Sequence, residues 1–293
     1  MGIINILILL GSGIGNIIQG TPCITALKRL GHTVSVAMWS SMPAAKQLLQ
    51  NCDEIDKLFF YPNDRIIGSY DFIVETLHSR AHQFESNLQH KGKVLTTQFS
   101  RWGVKNDVEI NLEAIEKHFG YNTKKLGIPK TFCSSKNHEC DIVLINGSNS
   151  ALRWLRKRYP HMKELVESMP DKKFICVGNK GEGITADNVV DLTGKLELNK
   201  VIELIKTAKL VIASDSGLSH VAGALGVPTI VLFGFTDPIK CKPLGDHIHI
   251  IRKDLPCSPC QYNQNTWVNC KDWKCIKEIT PESIKDKALE ILK

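Results

Sequence analysis

The stretch from Leu210 to Gly245, LVIASDSGLSHVAGALGVPTIVLFGFTDPIKCKPLG, constrains the fold of this chain more than any other. It reads as a buried strand, a polar turn, a short helix, a second buried strand and a polar loop. Strands that are apolar on both faces suit a parallel sheet covered by helices. Asp215-Ser216-Gly217 falls where the first strand hands over to the helix. Asp and Ser side chains accept the orphan amide protons of a helix's first turn. Gly217 lets a ligand approach the backbone closely. Free amides and the helix dipole make such a turn an anion site. His220, early in the helix, adds a donor or a positive charge. The ligand this arrangement fits is a phosphate or pyrophosphate, with Asp215 expected to act as a cap that organises the turn.

The same alternation runs through the chain. Ile3–Leu10 reads as a first strand, followed by the glycine loop Gly11-Ser12-Gly13-Ile14-Gly15-Asn16 and a helix from about Thr21 to Leu30. Thr21-Pro22 is expected as N-cap and first helical residue, since proline suits a helix start. Further strands are expected at Thr33–Trp39, Leu58–Tyr61 and Asp71–Glu75, and helices at Pro43–Asn51, Ala81–Gln89 and Leu112–Phe119. His78, His82 and His90 lie in this region as ligands or donors. Leu126–Cys140, with Pro129 and a polar run, reads as a linker. The alternation restarts at the strand Asp141–Ile145 and continues through strands at Phe174–Val177 and Val189–Leu192 and a helix at Val201–Thr207. Strands alternating with helices at this spacing mean βαβ units and parallel sheets. The chain's 293 residues suit two domains, expected as residues 1–130 and 131–280, with a final helix at 281–293 docked on the first domain.

Charge and cysteines narrow the classes. The formal charge is +7, densest from Arg153 to Arg158 but without the interleaved aromatics of a nucleic-acid platform. It fits either a mildly basic soluble protein or one drawn to an anionic acceptor or membrane surface. No run of eighteen apolar residues occurs, and MGIINILILL lacks a basic leader and a cleavage site. The expected location is cytoplasmic, with peripheral contact at the inner membrane face as the basic option. Cys257, Cys260, Cys270 and Cys275 form a C-x2-C followed by a second pair. That pattern fits a structural four-thiolate zinc or iron site, with free thiols or disulfides as the alternative. No paired acidic D-x-D motif stands in a suitable context, so no catalytic metal is expected.

The ordered residues Asp215, Ser216, Gly217, His220, Ala222, Leu225, Gly226, Pro228, Leu232, Phe233, Gly234, Thr236, Asp237 and Pro238 resemble the donor-binding half of glycosyltransferase family 9. That family includes the heptosyltransferases of lipopolysaccharide inner-core synthesis. Gly15-Asn16-Ile17-Ile18-Gln19-Gly20-Thr21-Pro22 resembles its first loop, G-D-x-x-x-x-x-P. Lys157-Arg158-Tyr159-Pro160 resembles its K-R-W-P segment. The resemblance implies an α/β GT-B architecture, two Rossmann-like parallel-sheet domains facing across a cleft. It implies inverting transfer of a sugar, heptose from ADP-heptose first among the options, to a lipopolysaccharide or other glycan acceptor. On the donor side it assigns Ser148, Lys157, Glu182, Asp215, Ser216, Gly217, His220 and Asp237, with Lys157 facing the diphosphate and Glu182 holding the ribose. Gly13, Gly15 and Asn16 form the acceptor-side loop.

One departure carries chemistry. The family places an aspartate, its general base, where this chain has Asn16. A neutral amide accepts no proton at ordinary pH. Glu75, His78 and Asp71 are the alternative bases; Asn16 otherwise only positions the acceptor. Two further readings stay open: a catalytically degenerate nucleotide-sugar-binding protein and a GT-B-fold nucleotide-sugar epimerase.

Overall fold

The computed structural model describes residues 2–41, 46–79, 93–96, 105–120, 122, 140–148, 152–263 and 269–293. The segment holding the expected helix Ala81–Gln89, with His82 and His90, lies outside these residues, as does most of the expected linker. The chain divides into two compact units, one within residues 1–132 and the other from 133 to 293.

The first unit is built on strands β1 (Asn5–Leu9), β2 (Thr33–Trp39), β3 (Lys57–Tyr61), β4 (Phe72–Glu75) and β5 (Lys93–Thr96). They form one parallel sheet in the order β3-β2-β1-β4-β5. Central β1 pairs with β2 and β4, aligning Leu9 with Ala37 and Glu75. Leu7, Leu9, Ala37, Ile66, Tyr70 and Ile73 make a core on one face of the sheet. Helix α1 (Ile14–Arg29) packs on α3 (Asp107–Phe119), and between β2 and β3 lies the single turn α2 (Lys46–Leu49). Helix α3 starts five residues before the expected Leu112, because Asn106 caps it. Its side chain accepts from Val108 N at 3.0 Å, while Glu109 accepts from Asn106 N at 2.9 Å.

Helix α1 corrects the expected start at Thr21. It begins at Ile14, behind Gly13 at φ 102°, which puts Thr21 and Pro22 in its interior. Pro22 has no N–H for the carbonyl of Ile18, its partner four residues back. The Thr21 hydroxyl donates to that same carbonyl at 2.7 Å. The Thr-Pro pair is therefore a repaired mid-helix proline. The turn carrying Gly13, Gly15 and Asn16 is the true helix start, and it follows the C-terminal end of β1 directly.

The second unit carries β6 (Ile142–Ile145), β7 (Phe174–Cys176), β8 (Val189–Asp191), β9 (Leu210–Ser214), β10 (Thr229–Phe233) and β11 (Ile248–Arg252). All pairings are parallel, in the order β8-β7-β6-β9-β10-β11. This is the doubly wound order, whose direction reverses between β6 and β9. Its helices are α4 (Met162–Glu167), α5 (Leu198–Thr207), α6 (Gly217–Ala224), α7 (Pro238–Cys241), α8 (Lys274–Lys277) and α9 (Pro281–Ile291). The final helix, expected on the first domain, packs on α4 of this second unit. Ile284 and Ala288 are buried there in a core with Tyr159, Met162 and Leu165. The Tyr159 hydroxyl donates to the Ile279 carbonyl at 2.7 Å, fastening the approach to that helix. No described helix is long and apolar enough to cross a membrane.

Candidate donor-anion site

Ligands of doubly wound sheets bind beyond the carboxyl ends of the strands, where the strand order reverses. In the second unit that place lies after Ile145 and Ser214, and the expected residues gather around it. Beyond β6, Asn146 ties the two strand ends together. Its Oδ1 accepts from Tyr159 N at 2.8 Å and from Ser214 Oγ at 3.0 Å, and its Nδ2 donates to Tyr159 O at 3.0 Å. Ser148 is buried just past it. The 3-10 helix Leu152–Lys157 then ends on two cations, Arg156 and Lys157, with Arg158 directly after it.

Lys157 Nζ donates to Asp215 Oδ2 at 2.6 Å, and Thr236 Oγ1 donates to the same oxygen at 2.7 Å. The Lys157 and Asp215 side chains are only 16% and 5% exposed. Asp215 is therefore not the cap expected of it: it is the counter-ion that aims Lys157. Ser216 takes the N-cap position of α6. Ser219 Oγ donates to Ser216 O at 2.6 Å and accepts from Ser216 N at 3.4 Å. The hydroxyl of Ser216 is buried, and beyond the capping-box contact with the Ser219 backbone it has no hydrogen-bond partner among the described residues. A buried hydroxyl in that state is costly, and it stands at the helix start where an anion would supply the partner.

His220 is buried on the first turns of α6, and burial pulls its pKa down to about 4. The Lys157 charge lowers it further, against the opposing pull of Asp215. Of the two expected roles, the environment selects the neutral donor. Because this pKa lies below that of an exposed histidine, the unfolded chain binds the extra proton between about pH 6.5 and pH 4. Stability is expected to fall as pH drops through that window, by on the order of 3 kcal/mol. Denaturant titrations of native protein and His220→Gln should differ in slope there and run parallel above pH 7.

Glu182 sits inside the turn after β7. Its Oε1 accepts from Arg158 at 2.9 Å and its Oε2 from Asn179 N at 2.8 Å. Gly147 and Gly178 leave the space its carboxylate fills. Asp237, 8% exposed, caps α7 by accepting from Ile239 N at 2.9 Å. Its own N–H donates to Gln261 Oε1 at 2.6 Å.

In the first unit the sheet likewise reverses direction, between β1 and β4. Thr76 Oγ1 bridges the strand ends, donating to Leu9 O at 2.9 Å and accepting from Gly11 N at 3.1 Å. Asn16 Nδ2 donates to Ser12 O at 2.6 Å. The opposite amide orientation would set oxygen against oxygen, so the bond assigns Nδ2 to Ser12 and Oδ1 as the acceptor. A carboxylate in this rotamer would repel the Ser12 carbonyl, so an aspartate here would have to turn away from it. Glu75 ends β4, and His78 follows with a left-handed backbone at φ 62°. Asp71 does not join them. It caps the other end of the sheet, accepting from Asn5 N at 2.8 Å, about 13 Å away along the strand at 3.3 Å per residue. Asn111 is a missed residue of this end. It is 1% exposed and accepts from Leu77 N at 2.8 Å while donating to Gln19 O at 3.2 Å, tying α3 to α1 and the end of β4.

The four cysteines are gathered but not converged. Cys257 is exposed, Cys260 buried, and Cys270 and Cys275 half-buried, all as free thiols. Burial, reinforced by the other three cysteines, pushes the Cys275 thiol up to about 11. Among the described residues, no three His, Cys, Asp or Glu side chains stand together as metal ligands.

Two doubly wound units, one with a lysine, a buried hydroxyl and a helix start at its strand reversal, define an α/β protein with a candidate anion-binding site. Residues 96–270, more than half of the chain, match glycosyltransferase family 9 (heptosyltransferase), and the chain belongs to that family. Lipooligosaccharide heptosyltransferase 2 of Haemophilus influenzae is 44% identical over 113 residues, covering 38% of this chain and 29% of that protein. The matched segments of the curated relatives span about a third of their length, at 33%, 29% and 36% in three of them. The solved structure of E. coli ADP-heptose lipopolysaccharide heptosyltransferase II superposes with a TM-score of 0.71 at 17% identity, over 98% of both chains. The iron-containing dodecameric glycosyltransferase TibC from enterotoxigenic E. coli gives 0.69 at 13% identity, covering 100% of this chain and 79% of that one. These likenesses show the GT-B heptosyltransferase fold.

Proposed function

We propose that this protein is an inverting glycosyltransferase that moves heptose from ADP-heptose to a hydroxyl of a lipopolysaccharide or other glycan acceptor. The observation that carries this reading is Lys157, aimed by Asp215 and Thr236 at the start of α6. There the cation, the helix amides and the Ser216 hydroxyl receive the diphosphate and stabilise its growing charge as it leaves. Neutral His220 adds a hydrogen bond without charge. Glu182 holds the nucleotide's ribose from its glycine niche, and Asp237 shapes the loop above.

The acceptor hydroxyl attacks the anomeric carbon from the face opposite the diphosphate. Asn16 Oδ1 orients that hydroxyl by accepting its hydrogen bond, and Glu75 or His78, on the same end of the first sheet, takes the proton. The +7 charge supports peripheral contact with an anionic membrane at its cytoplasmic face. The four thiols are donors of the kind zinc or iron takes, and binding such an ion would require them to draw together from the positions they hold here. Such an ion would be structural, because a closed four-thiolate site leaves no position for substrate.

Calorimetry with ADP, UDP, GDP and dTDP tests the donor, followed by release of ADP from ADP-heptose with a truncated lipopolysaccharide. Selective ADP binding and acceptor-dependent release are expected. Asn16 favours a second reading, a donor-binding protein without transfer. ADP binding without release in the presence of acceptor would establish that reading, and no nucleotide binding would overturn both.

A further inference from the structure

The loop Gly234–Asp237 carries Thr236 to Asp215, and its position is set largely by one neighbouring segment. Ser258 Oγ donates to Gly234 O at 2.8 Å. The backbone N–H groups of Cys260 and Gln261 both donate to Phe235 O, at 2.9 and 3.0 Å. Gln261 Oε1 accepts from Asp237 N at 2.6 Å. From the other side Cys275 closes on Gly234, where an added Cβ would stand 3.4 Å from its sulfur. Residues 258–261 thus bond to three of the four residues of the loop, leaving Thr236 to the donor site.

The loop's other contacts lead to the same place. Phe235 stacks on Trp154, with centroids 5.9 Å apart and planes at 29°. Lys157 Nζ lies 4.8 Å from the centre of the Trp154 ring. Lys157 and Thr236 share Asp215 Oδ2. A shift of the loop would move Thr236 off that oxygen and Phe235 off the ring beneath the lysine together.

We propose that Gln261, on the cysteine-bearing segment, is a positioning residue for the donor site, fixing the loop that sets Thr236 against Asp215 and so aims Lys157. The proposal rests on reading this site as the one that takes the donor diphosphate. Gln261 touches no substrate in this scheme and acts through Asp237 N and the loop. The cysteine segment is accordingly a brace for diphosphate recognition as well as a contributor to the stability of the fold.

The test is ADP affinity by calorimetry for the native protein, Gln261→Ala and Gln261→Glu, with the melting temperature of each measured without nucleotide. Gln261→Ala is expected to weaken ADP about tenfold, the equivalent of one buried hydrogen bond with its geometry, and to lower the melting temperature by no more than a few degrees as the Asp237 N–H loses its acceptor. Gln261→Glu keeps an acceptor for Asp237 N and is expected to recover most of the affinity. Unchanged ADP affinity in Gln261→Ala overturns the proposal, as does equal loss in both variants. If Gln261→Ala does not fold, Ser258→Ala removes the bond to Gly234 O and is held to the same outcomes. A native protein that binds no ADP would overturn the donor reading itself, and this proposal with it.

Discussion

Replacing Lys157 with alanine is expected to cost on the order of 3 kcal/mol of folding stability, because it strands the buried Asp215 carboxylate. Thr236 remains as its one described donor, which blunts the loss without cancelling it. The same substitution is expected to weaken ADP by about 10- to 100-fold, the range of a charge-assisted hydrogen bond. Asp215→Asn separates the two effects. It removes the buried charge but leaves an amide to meet Lys157 and Thr236, so donor affinity should fall further than stability does. In the Lys157→Ala, Asp215→Asn double variant, most of the lost stability should return while ADP stays weakly bound. Denaturant midpoints and calorimetry on the four proteins close that cycle. Additive stability losses would mean that the pair does not act as a pair.

Gly147→Ala is expected to cost about 2–3 kcal/mol through overpacking. An added Cβ there would sit on the Glu182 carboxylate, well inside van der Waals contact. An exposed glutamate would swing aside at little cost. This one is held by Arg158 and by Asn179 N, and its side chain is 3% exposed. Moving it breaks both bonds and leaves a buried charge poorly paired. Glu182→Ala is expected to suppress the defect, so that Gly147→Ala costs less in that background than in the native one. Thermal unfolding of the two single variants and the double reads this directly; equal costs in both backgrounds would mean that the niche is not the cause.

The sheets were legible because parallel strands announce themselves as short apolar runs between polar turns. Every expected strand among the described residues has its counterpart within two residues at each end, while β5 and β11, at the sheet edges, were not anticipated. The helix starts were less legible. Thr21-Pro22 carries the composition of a helix start, and only the hydrogen bond from Thr21 to the Ile18 carbonyl explains its place in the interior. Within the turn at Asp215-Ser216-Gly217, the residue types were readable but the division of labour was not. Asp215 reads as a cap until Lys157, 58 positions away, is found on its oxygen. Asn111 could not be singled out, since a buried asparagine joining backbone groups leaves no period or spacing in the sequence. Asp71 was a candidate by proximity in sequence, yet one strand length separates it from Glu75.

The run Arg156-Lys157-Arg158 has a consequence beyond its charge. Arg156 lies over the Trp273 ring at 5.1 Å, Lys157 meets Asp215, and Arg158 meets Glu182. Three neighbours on one tight turn point to three different partners, so what the run encodes is phase. Its net charge could survive a one-residue insertion upstream, but its meaning could not, since each partner would then be handed the wrong side chain. The segment works as a key whose teeth are read in order, and its length is under tighter constraint than its composition.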